Sequence, residues 1–290
     1  MRIAFVIYRA WAFGIYKDIA AFQESHPDLT IEALVTTPAA EFRIPASGNR
    51  TKVYVVEGKD NDRIALILSE HRVDVVFYYG WSWIVKGPVL KDYLCLCLHP
   101  SPLPKYRGGS PMQHQIINGE TESAATVFKM GEGIDDGDIY ESIPFSLEGT
   151  IGEIYRRLEK NGAAITRHFI TDFMKGNIEF TPQQGLDRNP PLKRRTPAQS
   201  EIDFGTLGSL PYRSLYNMVR ALADPYPNAF IKIPSGKFLI QAVEERSEAR
   251  PNEIADATGS LETIVKKGAT PCLRLADGFA AVTKYRIERL

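Results

Sequence analysis

The sequence predicts an α/β protein with a mostly parallel sheet in its N-terminal part and a small, mainly β C-terminal part. Three observations support this fold class. Apolar runs of strand length alternate with helical apolar spacing between residues 3 and 145. A long helical pattern then covers residues 150–175. Beyond residue 200, short β-like runs separated by Gly, Pro and Asn follow a single helix.

The alternating pattern can be assigned element by element. The predicted strands are residues 3–8, 29–36, 52–56, 73–78, 94–98, 124–128 and 138–145. The predicted helices are residues 15–22, 61–71, 110–119 and 150–175, and residues 37–50 form a polar loop. This alternation implies a Rossmann-like sheet with helices on both faces. No GxGxxG motif follows the first strand, which argues against a nicotinamide dinucleotide site.

The C-terminal part has a different pattern. A helix is predicted at residues 210–222, and strands are predicted at 230–233, 238–243, 264–266, 273–275 and 280–283. Residues 183–199 are rich in proline and charge, which is typical of a linker or an extended crossing segment. We therefore expect a first domain over residues 1–182, a linker over 183–199, and a small domain over 200–290.

Composition narrows the class of protein. With 290 residues and 44% hydrophobic content, the chain can bury the core of one large and one small domain. Lys plus Arg and Asp plus Glu both total 35, so no global field attracts a polyanion, which argues against nucleic acid as a partner. The three cysteines indicate a reduced, cytoplasmic setting. The apolar start is too short for a signal segment, and no later run reaches membrane-spanning length.

The strongest functional signal lies in the phrase LCLCLHPSPLPKYRGG, which begins at Leu94. Its apolar run delivers His99 at the carboxyl end of a predicted strand, where open α/β sheets place their sites. Prolines and then a basic, glycine-containing loop follow the histidine, and glycines let the backbone approach a ligand. Further on, MGEGIDDGDIY forms a glycine-spaced loop with three carboxylates, Asp135, Asp136 and Asp138, one of which could return to orient the imidazole.

The HPSPLPKYRGGSP segment and the later GIDDGDIY loop resemble the folate-dependent formyltransferase family, which includes methionyl-tRNA formyltransferase and the sugar N-formyltransferases. The resemblance implies that His99 is the catalytic histidine and Asp135 the catalytic aspartate. Cys97 stands where the family has an asparagine, whose amide donates to the formyl oxygen. A thiol is a poorer donor than an amide, so the carrier of that role is open here.

The same resemblance implies 10-formyltetrahydrofolate as the formyl donor and no metal. Its pocket would be formed by the loop after the fourth strand and by the later glycine loop. The residues assigned to it are Gly80, Trp81, Ser82, Trp83, Ile84, Val85, Gly131, Gly133 and Ile134. Trp81 and Trp83 also have a purely structural interpretation, as aromatic side chains that cap the rim of the sheet. No His, Cys, Asp and Glu cluster has metal-ligand spacing, and no GxSxG motif presents a hydrolase nucleophile.

The favoured acceptor is a small nucleotide-linked amino sugar of the kind found in lipopolysaccharide O-antigen. This choice rests on the resemblance of HPSPLPKYRGGSP and INGE to the sugar enzymes and on the neutral net charge. The residues assigned to substrate binding are Ser101, Lys105, Arg107, Gly108, Gly109 and Gln113. Two alternatives stay open: a methionyl-tRNA formyltransferase, and a folate binder with altered or lost transfer activity. Whether the protein is a homodimer also stays open.

Overall fold

The apolar runs of the N-terminal half form seven strands in one sheet. A computed structural model describes residues 1–43 and 51–289, so residues 44–50 of the predicted polar loop lie outside the described residues. The strands are β1 (Arg2–Ile7), β2 (Thr30–Thr36), β3 (Lys52–Val55), β4 (Val75–Tyr79), β5 (Leu94–His99), β6 (Glu122–Lys129) and β7 (Ile139–Ser146). Their order in the sheet is β3-β2-β1-β4-β5-β6-β7.

The sheet is parallel from β3 to β5, and β6 and β7 are antiparallel to their neighbours. This arrangement confirms the predicted mostly parallel sheet. The central strands β1 and β4 are almost entirely apolar because both faces of a parallel sheet are covered. The carboxyl ends of β1, β2, β4 and β5 therefore lie at one edge of the sheet, and His99 is the last residue of β5.

Among the described residues, the α-helices of this half are α1 (Ala10–Glu24), α2 (Asn61–His71), α3 (Pro88–Asp92), α4 (Pro111–Ile117) and α5 (Ile151–Lys175). Helix α2 has the predicted bounds. Asp60 caps it by accepting from the Arg63 amide at 2.9 Å, and Ile64, Ile67 and Leu68 are buried along one face.

The predicted start of α1 at residue 15 is wrong, because the helix begins at Ala10 and buries Trp11 and Phe13. Gly14 suggested a helix boundary, as an isolated glycine often does. In the structure this glycine lies inside the helix, where a Cβ atom would collide with the carboxyl group of Glu159. The helix therefore continues through Gly14, and the expected helix end does not occur there.

The C-terminal half builds a second, five-stranded sheet. Its elements are α6 (Tyr212–Ala221), β8 (Ala229–Ile233), β9 (Gly236–Arg246), β10 (Ile254–Ala255), α7 (Thr258–Lys266), β11 (Cys272–Leu275) and β12 (Gly278–Arg289), and the strand order is β10-β11-β12-β9-β8. This confirms the small, sheet-rich C-terminal region. The predicted strand at residues 264–266 is wrong, because these residues form the last turn of α7. Leu261 and Ile264, three positions apart, are both buried on this helix.

Packing divides the chain into two compact units. The first contains residues 1–111, 122–146 and 155–192, and the second contains residues 112–121, 147–154 and 193–290. The predicted domain boundaries at residues 182 and 200 remain a prediction. Within the described residues, no helix combines the length and the apolar character that a membrane crossing needs.

Candidate active site

His99 lies at the carboxyl end of β5, between β4 and β6, and only 5% of the residue is exposed. Its Nε2 atom lies 2.9 Å from the carbonyl oxygen of Tyr106, and its Nδ1 atom lies 3.3 Å from Oδ2 of Asp135. A carbonyl oxygen can only accept, so Nε2 carries a proton in this arrangement. A ring with protons on both nitrogens would give a donor to each of these two acceptors.

Asp135 reaches the histidine from the loop between β6 and β7. The same Oδ2 atom accepts from the Gly108 amide at 2.8 Å, and 20% of the side chain is exposed. Asp135 has a φ angle of +49°, in the left-handed region that non-glycine residues rarely adopt. The structure thus brings the predicted histidine and aspartate together, and a backbone amide fixes the carboxylate that faces the imidazole.

Arg107 stabilises this loop from within the protein. The residue is 7% exposed, and its guanidinium donates to the carbonyl oxygens of Ile134 at 3.1 Å, Leu186 at 3.1 Å and Asn189 at 2.8 and 3.0 Å. Its charge is therefore directed at three backbone carbonyls. The assignment of Arg107 to substrate binding remains a prediction, and its contacts in this structure are structural.

Gly108 connects the histidine loop to a segment that sequence analysis interpreted as a linker. It forms a parallel bridge with Leu192, and the neighbouring Gly109 amide donates to the Leu192 carbonyl at 2.8 Å. Gly108 has a φ angle of +90°, and a Cβ atom there would collide with the Leu192 carbonyl. Only glycine fits this position, so residues 186–192 help to build the site. Their composition, rich in proline and charge, gave no signal of this role.

Cys97 lies two residues before His99 on β5. Burial raises the pKa of its thiol well above the usual range, and the negative charge of Asp135 raises it further. The thiol therefore stays protonated at neutral pH. The structure places Cys97 beside the candidate pair, as the family resemblance implies, but gives it no thiolate character.

A cleft of about 880 Å³ opens beside the loop that follows β4. Its walls are formed by Ile84, Val85, Lys86, Gly87, Pro88, Leu90, Lys91, Asp92, Met130, Gly131 and Glu132. Three of the residues assigned to the folate pocket, Ile84, Val85 and Gly131, line it. Ile84 is 67% exposed and presents a large apolar side chain to this cleft. Sequence analysis missed the part of the wall that comes from residues 86–92.

The two tryptophans do not line this cleft. Their rings lie 5.0 Å apart, and Trp83 also makes an edge-to-face contact with Tyr8 at 5.3 Å. Trp83 covers Gly58, where a Cβ atom would overlap the indole ring. These contacts match the structural interpretation of the pair, and the folate role of Gly80, Trp81, Ser82, Trp83, Gly133 and Ile134 remains a prediction.

The other residues assigned to substrate binding differ in accessibility. Ser101 is fully buried and donates to the Lys105 carbonyl at 2.7 Å, whereas the Lys105 residue itself is exposed. Gln113 is 4% exposed, and its Nε2 atom has no hydrogen-bond partner among the described residues. The described part of the chain holds no group of three His, Cys, Asp or Glu side chains arranged for a metal ion.

The family profile described as formyl transferase matches residues 31–169, the segment that contains β5, His99 and Asp135. Residues 31–169 of this chain are thus similar to the formyl transferase family. The resemblance found in the sequence motifs is thereby confirmed.

Part of this chain is also similar in sequence to individual proteins. The methionyl-tRNA formyltransferase of Halalkalibacterium halodurans is 34% identical over 163 residues, which are 54% of this chain and 49% of that protein. This chain thus spans about half the length of that curated relative.

Two solved structures share the fold. A sugar N-formyltransferase from a Shewanella species is 19% identical, with a TM-score of 0.67 and coverage of 86% of this chain and 99% of that one. HypX from Aquifex aeolicus, solved in complex with tetrahydrofolic acid, is 19% identical, with a TM-score of 0.70 and coverage of 100% of this chain and 44% of that one.

Proposed function

We propose that this protein transfers a formyl group from 10-formyltetrahydrofolate to the amino group of a nucleotide-linked amino sugar in the cytoplasm. The observation that carries the proposal is the buried His99, 3.3 Å from Asp135 at the carboxyl edge of the sheet. This pair lies within the segment that matches the family. The tetrahydrofolic acid complex of the similarly folded HypX supports a folate donor.

The cleft beside the β4 loop suits the donor. Its volume of about 880 Å³ lies in the range of roughly 300–1,000 Å³ that is typical of small-molecule sites. Ile84 and Val85 offer apolar contacts to a flat ring, and Gly131 lets the backbone approach it closely. A bound donor would supply an activated formyl carbon, and the residues around it determine how the amine reacts.

In the proposed reaction, the residues of this chain stabilise charge and transfer protons. The amine must attack without its extra proton, and negative charge then develops on the formyl oxygen. The bond from the formyl carbon to the donor nitrogen would then break, and the donor would leave as tetrahydrofolate with the proton that the amine gives up. With both ring nitrogens protonated, His99 carries a positive charge that can stabilise the developing negative charge, and it can pass a proton on once Nε2 leaves the Tyr106 carbonyl. Asp135 orients the ring through Nδ1, and its own carboxylate is fixed by the Gly108 amide. Only 7% of the His99 side chain is exposed, so water screens this interaction less than it would in open solvent.

The acceptor assignment rests on weaker support than the reaction. The balanced net charge favours a small acceptor over tRNA, and the fold is shared with a sugar N-formyltransferase. The curated relative is a methionyl-tRNA formyltransferase, which favours tRNA as the second candidate. Cys97 at the asparagine position favours the third candidate, a folate binder without transfer activity.

One set of reactions separates the three candidates. The protein is incubated with 10-formyltetrahydrofolate and, in parallel, with dTDP-, UDP- and GDP-linked amino sugars and with methionyl-tRNA, and formylated product is measured by mass spectrometry. We expect a formylated amino sugar, no product on methionyl-tRNA, and loss of product in His99→Ala. A thermal-shift screen with a folate analogue identifies the best sugar first, because a true ligand stabilises the folded state. Product on methionyl-tRNA alone would refute the acceptor, and tight folate binding without any product would refute transfer.

A further inference from the structure

Gln183 is a buried amide next to the catalytic loop that neither the sequence motifs nor the proposed mechanism uses. We propose that Gln183 is a positioning residue, which fixes the backbone of Asp135 so that its carboxylate faces His99. The proposal rests on the proposed function for its kinetic test, and a spectroscopic test is independent of that function. Gln183 lies in the segment that the sequence suggested was a linker.

The amide group bonds the loop at two points. Gln183 Nε2 donates to the carbonyl oxygen of Asp135 at 3.0 Å and to that of Gly137 at 2.7 Å. Both partners are carbonyl oxygens, which only accept, so the NH₂ end of the amide must face them. Gln183 is 9% exposed, and its Oε1 atom has no partner among the described residues. The side chain is therefore oriented by its two donor bonds.

These bonds fall on the part of the backbone that needs support. Asp135 has a φ angle of +49°, and a residue in this region persists only where its surroundings hold it there. The Asp135 carbonyl is bound by Gln183, and its side-chain Oδ2 is bound by the Gly108 amide. Together the two contacts fix both ends of the residue. A rotation of the backbone at Asp135 would move the carboxylate away from Nδ1 of His99.

The segment that carries Gln183 is itself anchored. Thr181 exchanges two backbone hydrogen bonds with Ile139, each 2.8 Å long, at the first residue of β7. Leu192 bridges to Gly108 at the other end of the segment. Between these anchors Gln183 has little freedom to leave the loop. Thr181 thus bonds to β7, Gln183 bonds to the Asp135 loop, and Asp135 contacts His99.

The first test is kinetic and uses a double-mutant cycle. Gln183→Met keeps the length of the side chain and removes both donors, and Gln184→Met is the matched control on the adjacent, exposed glutamine. We expect Gln183→Met to lower kcat by roughly ten- to a hundredfold while the KM for the folate donor changes less than about twofold. The double variant with Asp135→Asn should be no slower than Asp135→Asn alone, because both changes act on one unit. Multiplied losses, or an unchanged kcat, would overturn the proposal.

The second test does not need activity. The ring NMR signals of ¹⁵N-labelled His99 should move in Gln183→Met in the same direction as in Asp135→Asn, and should not move in Gln184→Met. Unmoved signals would overturn the proposal even if the protein transfers no formyl group, and shifted signals in an inactive protein would refute only the proposed function. If Gln183→Met does not fold, Gln183→Glu preserves the volume. Its ionised carboxylate would face two carbonyl oxygens, so the His99 signals should approach those of the wild type only at acidic pH, where the carboxyl can donate.

Discussion

The coupling between His99 and Asp135 can be estimated from their geometry. At the 3.3 Å separation of Nδ1 and Oδ2, a unit charge pair in an effective dielectric near 20 would interact by about 5 kcal/mol. The carboxylate is 20% exposed and shares its oxygen with the Gly108 amide, so we expect roughly half of that value in practice. About 2.7 kcal/mol corresponds to roughly a hundredfold in rate. His99→Ala and Asp135→Asn should therefore each lower kcat by about a hundredfold or more.

The double variant tests whether the two residues act as one unit. Asparagine can still accept from the Gly108 amide through its oxygen, so Asp135→Asn removes the charge and leaves the loop intact. The assay is kcat at saturating donor and acceptor, with thermal unfolding to show that each variant folds. Asp138→Asn, in the same loop and exposed, is the matched control and should keep full activity. If the double variant loses about ten-thousandfold, the product of the two single losses, the pairing is refuted.

Three further predictions follow from the contacts and burial of single side chains. Ile84→Ser should raise the KM for the folate donor by about tenfold because Ile84 lines the cleft, and it should not change stability because Ile84 is 67% exposed. Leu66, 48% exposed on α2, is the control, and Leu66→Ser should leave that KM unchanged. Arg107→Met should lower the free energy of unfolding, measured in urea, by about 3–5 kcal/mol because three carbonyl groups lose their donor. The control is Arg188→Met at an exposed position. A loss below about 1 kcal/mol in Arg107→Met, or an equal loss in the control, would contradict this prediction. Burial raises the pKa of Cys95 from 9.0 to about 12, so between these pH values the native state keeps a proton that the unfolded state loses. As the pH rises through this range, the free energy of unfolding of the wild type relative to Cys95→Ala should fall by up to about 1.4 kcal/mol per pH unit.

The sequence motifs and the family resemblance together identified the two residues that the structure brings together. His99 follows a short apolar run, and the carboxyl edge of a parallel sheet gathers such strand ends in one place. Asp135 stands in a glycine-spaced loop outside any helix interior, and the family resemblance selected it over Asp136 and Asp138. The end of β5 and the glycine loop are both visible in the local sequence.

The segment from Gln183 to Leu192 could not be found in this way. Its contacts to the site run through backbone carbonyls of Leu186, Asn189 and Leu192, which every residue type possesses. A proline-rich, charged segment with backbone contacts has the same composition as one without them. The end of α7 was wrongly predicted as a strand because Ile264 and Val265 have high strand propensity. In the structure, Leu261 and Ile264 are buried together on one helix face, and this tertiary packing stabilises the helix instead.

In the proposed reaction, the residue at position 97 affects how much of the transition-state charge His99 must stabilise. Burial and the nearby Asp135 raise the pKa of the thiol, so it stays neutral at the pH where the amine reacts. A neutral thiol is a weak donor and replaces an asparagine amide poorly, and loss of one oxyanion donor typically costs about 3–4 kcal/mol. In the proposed reaction, His99, two residues further along β5, carries part of that role. The dependence on the His99 and Asp135 pair should therefore be larger here than in an enzyme that keeps the asparagine. A hundredfold loss is therefore the lower limit that we expect, within the roughly 10²–10⁴-fold that general acid–base residues usually contribute.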